Sequence, residues 1–286
     1  MTSDRTTGNI LRDSVEEVRT VLGSHLDGLE VERVVVGVFF SGVKLADGSG
    51  GVCATPAKLF SEAACCPNSA SAMPLPGRLR GRPVDAYLAE LFADNGIRRT
   101  LGIAVLNALA GECWRRQPSP GCRAYTGIDA FDQAQVGPDD RVVLVGAFPP
   151  LIRLLKRRGK PFRILEKNSS ALKADEMDFY RPAEDAPRVV PKADVLVATG
   201  TTLVNDTLEG LLALARPDAR VVVVGPTAGM LPGPYFRRGV SVLGGISVTN
   251  PNELLDVLSE GGSGYHFFGR SAEKVTLVRE SAEVWG

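Results

Sequence analysis

From Arg141 onward the chain alternates short β-branched runs with amphipathic helical stretches, and this rhythm restricts its fold more than any other feature. Val142-Val143-Leu144-Val145 and Val221-Val222-Val223-Val224 are apolar at every position. A strand with no polar face must be covered on both sides, which is the situation of a parallel sheet with helices on both of its faces. The predicted order is strand 141–146, helix 149–158, strand 161–166, strand 194–199, helix 202–215, strand 220–225, a weaker strand at 240–243, helix 251–260 and a last strand at 274–279.

The first 112 residues read differently. Leu11, Val15, Val18, Leu22 and Leu26 recur at helical spacing with Arg12, Glu16, Glu17 and Arg19 opposite. A β-hairpin follows, with one strand from Val31 to Phe40, turn chemistry at Asp47-Gly48-Ser49-Gly50-Gly51, and a return strand to Thr55. Prolines and glycines make 61–82 a long loop, and helices are expected at 84–93 and 97–113. The second of these has almost no polar face and should be buried all round. Asn107 sits in its middle, where an amide must find hydrogen-bond partners. Residues 115–140, with Pro118, Pro120 and Pro138, read as a connection. The organisation is therefore α/β: a small N-terminal α+β unit (1–112) followed by a Rossmann-like parallel-sheet unit (113–286).

Length and charge limit the function. A chain of 286 residues with 44% apolar content suffices for two such units without disulfides. Thirty-three basic residues balance thirty-three acidic ones, which gives no electrostatic reason to expect nucleic acid or an anionic membrane as partner. The basic run from Arg153 to Arg163 reads as a solvated helix end. No apolar stretch is long enough to span a bilayer, and an odd count of five cysteines reads as reduced thiols in a cytoplasmic protein. A homodimer is compatible with all of this, but no residue pattern establishes one.

In open parallel sheets ligands bind beyond the carboxyl ends of the strands, where strand order reverses. Right-handed crossovers place the strand ending at Gly146 beside the one ending at Thr199. The loops Gly146-Ala147-Phe148-Pro149 and Thr199-Gly200-Thr201-Thr202 then flank the crevice, with Asn205 on the first turn beyond them. Glu166 ends the neighbouring strand, the place where a dinucleotide-binding fold puts the acid that takes ribose hydroxyls. The three-glycine fingerprint is missing, however, and Phe148 would crowd a pyrophosphate, so nicotinamide dinucleotide in the usual mode is not expected. An S-adenosylmethionine-like cosubstrate remains open. Gly225-Pro226-Thr227 follows a further strand and either walls the site or turns the chain.

The run Thr199-Gly-Thr-Thr-Leu-Val-Asn-Asp-Thr-Leu-Glu, the later Gly225-Pro-Thr, the Gly146-Ala-Phe-Pro turn and the strand-end Glu166 together resemble the putative heavy-metal-chelation family, a family of domains of unknown function. The resemblance implies a Rossmann-like domain preceded by one similar to the N-terminal domain of enolase, which 36–56 and Leu106-Asn107-Ala108 resemble. It also implies a ligand site between the two units. Carried across residue by residue, that site comprises Asn107, Gly146, Phe148, Glu166, Thr201, Thr202, Asn205 and Thr227. The ligand it implies is a small polar, metal-chelating compound or its metal chelate, with a divalent or heavy metal as the cofactor to test.

The residues themselves argue less for metal. There is no Cys-x-x-Cys, only His25 and His266 supply imidazole, and adjacent Cys65 and Cys66 lack ligand spacing. A hard-ion site from Asp129, Asp132 and Glu166 has no spacing signature either. No nucleophile elbow or P-loop is present. The leading expectation is therefore a binding protein, with the alternative of an enzyme that uses Glu166 and a nucleotide-like cosubstrate.

Overall fold

A computed structural model of the chain describes residues 9–56, 74–229 and 231–280. The N-terminal unit consists of α1 (Ile10–Leu22), β1 (Val31–Val36), β2 (Phe40–Leu45), β3 (Gly50–Ala54), α2 (Val84–Ala89) and α3 (Gly96–Arg116). The three strands form an antiparallel sheet in the order β1-β2-β3. The single strand expected over 31–40 is in fact interrupted by a turn at Gly37-Val38-Phe39, so the hairpin is a three-stranded meander. Gly37 permits that turn because a Cβ there would lie 2.5 Å from the Phe40 carbonyl oxygen and 2.6 Å from that of Leu258.

The C-terminal unit adds β4 (Cys122–Thr126), α4 (Ala130–Gln133), β5 (Val142–Val145), α5 (Pro149–Arg158), β6 (Phe162–Glu166), β7 (Tyr180–Pro182), α6 (Ala186–Val189), β8 (Val195–Thr199), α7 (Thr201–Val204), α8 (Leu208–Leu214), β9 (Arg220–Val224), α9 (Gly233–Phe236), β10 (Val240–Val248), α10 (Pro251–Ser259), α11 (Gly264–Phe267) and β11 (Ala272–Arg279). Its eight strands are ordered β4-β11-β10-β9-β8-β5-β6-β7. Six run parallel, from β10 to β7; β11 is antiparallel to both β10 and β4.

Both faces of this sheet are covered, as the all-apolar strands require. Val142 and Leu144 pack with Leu151, Ile152 and Leu155 of α5, whereas Val143, one residue out of phase, joins the core on the opposite face. That opposite core is continuous with α1 and α3. Helix α3 is buried from Ile103 through Ala110, which accounts for its missing polar face. Gly51 of β3 is packed so closely on α3 that a Cβ would sit 2.1 Å from the Ala104 carbonyl oxygen. On the other side of the small sheet, Val52 packs with Leu254, Leu255 and Leu258 of α10. The N-terminal sheet is thus held between its own helix and one from the C-terminal unit. Arg33 and Asp256 pair across this contact at 2.8 Å, and Glu209 accepts the Ile10 amide at 2.5 Å.

The 115–140 connection contains an edge strand, β4, and the short helix α4. Helix 202–215 is two helices, α7 and α8, broken at Asn205-Asp206-Thr207. Among the described residues, no helix is long and apolar enough to cross a membrane.

Candidate functional site

Strand order reverses between β5 and β8, which lie side by side with Val145 opposite Ala198. Beyond their carboxyl ends lies a cavity of about 560 Å³. Gly146 opens it. Its φ of +97° is a conformation that L side chains rarely adopt, and a Cβ there would stand 2.7 Å from Thr199 Oγ1, so the two loops meet over a missing side chain. The Gly146 amide donates to the Leu165 carbonyl at 2.9 Å. Glu166 braces the same loop: Oε2 accepts the Ala147 amide at 2.8 Å and Oε1 accepts the Asn168 amide at 3.0 Å. With one acceptor bond on each oxygen, the carboxylate keeps lone pairs for a ligand donor.

On the β8 side, the hydroxyls of Thr199 and Thr201 are hydrogen-bonded at 2.7 Å, and buried Thr202 donates its hydroxyl to the Thr199 carbonyl at 2.7 Å. The helix then breaks. Asp206 takes φ +56°, and the Thr207 amide returns to the Thr202 carbonyl at 2.9 Å. This break turns Asn205, Asp206 and Thr207 onto the cavity wall, with Leu211 and Leu214 behind them. Lys167 and Glu184 also line it. None of Asp206, Thr207, Lys167 or Glu184 was singled out from sequence. An available signal was Asn205-Asp206, because Asn and Asp tolerate the left-handed conformation better than other side chains.

Of the expected site residues, Gly146, Glu166, Thr201, Thr202 and Asn205 line this cavity, and all of its lining comes from residues 145–214. The other three lie elsewhere. Phe148 precedes α5 and packs its ring against the core beneath that helix. Thr227 is buried and accepts the Ala54 amide of β3 at 2.9 Å. Asn107 is buried in α3, where its Nδ2 donates to the carbonyls of Val52 at 2.8 Å and Thr227 at 3.1 Å. Asn107 and Thr227 therefore fasten the two units together, and the cavity lies within the C-terminal unit and not between the two.

A family model described as putative heavy-metal chelation, DUF364, matches residues 129–277, and a second with the same description, DUF4213, matches 19–110. The chain belongs to the DUF364 family. An uncharacterized protein of Methanocaldococcus jannaschii is 28% identical to it over 187 residues, covering 64% of this chain and 67% of that protein. A DUF364 structure of unknown function from Pyrococcus horikoshii superposes with a TM-score of 0.72 at 19% identity, covering 94% of this chain and 99% of that one. Another, from Desulfitobacterium hafniense, gives 0.64 at 19% identity over 91% and 98%. At such identity these two structures show a shared fold.

The family description makes a bound metal worth testing against the residues of this DUF364 chain. Soft metals need thiolates. Burial pushes the Cys53 and Cys113 thiols up to about 12 and that of Cys122 up to about 11, so all three stay protonated at neutral pH. His25 is 3.0 Å from Asp47, and His266 Nδ1 accepts the Ser263 amide at the start of α11. Asp129 caps α4 and pairs with Lys274 at 2.9 Å, apart from Glu166. Among the described residues, no three His, Cys, Asp or Glu side chains form a group that could hold a metal ion. The described residues therefore do not fit a protein-only heavy-metal cage. Cys65 and Cys66 lie outside the described residues. In the native protein at pH 7, Cys53 and Cys113 are expected to resist thiol-specific alkylation and to label fully in denaturant. Peptide mass mapping checks this, and rapid native labelling of either would contradict the burial.

Proposed function

We propose that this DUF364 protein binds a small polar compound, a metal chelator or its metal chelate, in the cavity at the carboxyl ends of β5, β6 and β8. The observation that carries the reading is the convergence of Thr201, Asn205 and Glu166 on a cavity of about 560 Å³ with an apolar rear wall. Hydroxyls and a carboxamide are weak ligands for a bare soft ion but good hydrogen-bonding partners for a compound that brings its own donor atoms to the metal. That volume is in the range of small-molecule sites. The family description, which points to metal or small-molecule binding, is consistent with this.

Native mass spectrometry of protein purified without chelators, followed by elemental analysis of the same sample, tests the reading. A small-molecule or metal-chelate adduct is expected on the native chain. Thr201 and Asn205 are exposed, so Thr201→Val with Asn205→Ala should leave the fold intact while weakening the adduct by roughly thirtyfold, at about 1 kcal/mol for each of two hydrogen bonds. Unchanged occupancy in that double variant would remove the site assignment. Glu166→Gln separates binding from catalysis, because an enzyme using this carboxylate loses turnover where a binding protein loses only affinity.

A further inference from the structure

A second cavity, of about 540 Å³, lies at the opposite end of the same strands, against the start of β5 and β6. Its charge is unlike that of the first. Arg141, Arg163, Arg181, Arg188 and Lys192 line it together with a single acid, Asp185. Two of these cations are neutralised locally. Arg141 pairs with Asp194 at 2.9 Å, and Arg188 pairs with Asp185. The strong contact with Arg141 holds the Asp194 carboxyl well below the usual carboxylate range.

Arg163, Arg181 and Lys192 are different: among the described residues no carboxylate forms an ion pair with any of them. Arg163 and Arg181 are half-buried. Leu165 of β6 lies beside Arg181 of β7, and Arg163 is two residues before Leu165, so both guanidinium groups rise from one face of adjacent strands. Each is pinned by one hydrogen bond, Arg163 Nη1 to the Phe162 carbonyl at 3.0 Å and Arg181 Nη1 to the Tyr180 carbonyl at 2.5 Å. Pinning by a single N–H leaves most of each fork free to take acceptors. Half-burying two guanidiniums without a counter-charge is unfavourable, and an anion in the cavity relieves it.

We propose that this cavity is a binding site for a small polyanion of the phosphate class, separate from the first. Three unpaired cations match a ligand of two to three negative charges; a lone carboxylate would leave most of the charge uncompensated. Planar arginine forks take two oxygens of one phosphoryl group at a time, and Lys192 adds a point charge at the rim. The walls contributed by Val143, Phe162 and Val189 are apolar, so an organic phosphate can also bury part of its body. The two cavities share no lining residue, so the inference does not depend on what fills the first.

Isothermal titration of the full chain with inorganic pyrophosphate, ADP and citrate tests it. Pyrophosphate and ADP are expected to bind, with affinity falling steeply as salt is raised. Arg163→Gln and Arg181→Gln should each weaken pyrophosphate by roughly tenfold or more. Lys192→Gln, at an exposed position that the fold does not need, should weaken it by a smaller factor. Thr201→Val in the first cavity should leave it unchanged. Failure of pyrophosphate and ADP to bind at millimolar concentration would overturn the site. Binding that survives the Arg163, Arg181 and Lys192 substitutions would overturn it too, and citrate binding without pyrophosphate would overturn the ligand class.

Discussion

Gly51→Ala should destabilise this protein by about 3 kcal/mol or more, at the upper end of what overpacking a core costs. The added methyl group would stand 2.1 Å from the Ala104 carbonyl oxygen and 2.5 Å from the Ala108 amide nitrogen. Both are backbone atoms in the middle of α3, so no side-chain rotation can relieve the contact. Either β3 withdraws from the helix or the helix shifts as a rigid body, and both movements open the core that α3 shares with the large sheet. Gly111→Ala in the same helix is the control, since a Cβ there meets nothing within 4 Å. It should be neutral or stabilising by about 0.5–1 kcal/mol. Urea denaturation midpoints of the two variants measure the contrast, and equal midpoints would show that β3 and α3 are not in such close contact.

Asn107→Asp is expected to cost about 3–5 kcal/mol at pH 7, in the range found when a buried charge is left uncompensated. The change keeps the side-chain volume but replaces the Nδ2 donor with an oxygen facing the carbonyls of Val52 and Thr227. Those carbonyls lose their donor as well. The penalty should depend on pH in a definite sense. Burial beside two carbonyl oxygens raises the folded-state pKa of the new carboxyl above its unfolded value of about 3.9. A protonated carboxyl can still donate to one carbonyl, so the penalty is smallest below the unfolded value. It grows as pH rises past that value and levels off above the folded one. Urea midpoints relative to the parent at pH 4 and pH 7 should therefore differ less at pH 4. A gap independent of pH would mean that Asn107 is not the fastener between the units.

The sites of these two substitutions were unequally visible in the sequence. An amide in the apolar face of Leu106-Asn107-Ala108 announces that it needs partners, but the carbonyls it meets belong to chain 55 and 120 residues away. Gly51 reads as part of a turn cluster, and its close contact with α3 follows only from how the small sheet sits on the helix. The same division runs through the candidate site. Gly146, Glu166, Thr199, Thr201 and Thr202 were placed by the parallel-sheet rule, since strand ends and switch points follow from crossover handedness. Asp206, Thr207 and Glu184 were not, because the helix break and the outer wall are products of packing. Thr227 and Phe148 carry family resemblance to the site, but the fold uses one as a clasp and packs the half-buried ring of the other against the core.

What the sequence by itself determined is the parallel sheet and the direction in which its site opens. Strands buried on both faces have no polar positions in their interiors, so 142–145, 195–198 and 221–224 declare themselves through composition. Edge strands do not: β4 alternates Arg123 and Tyr125 with small residues, and β7 is three residues long, so neither carries a periodic signal that outweighs loop chemistry. Tertiary structure alone decided that β1 and β2 part at Gly37, that α10 crosses to cover the N-terminal sheet, and that Arg163 and Arg181 share one face of adjacent strands with no ion-pair partner among the described residues. These features depend on distances between residues remote in the chain, which local preference does not encode.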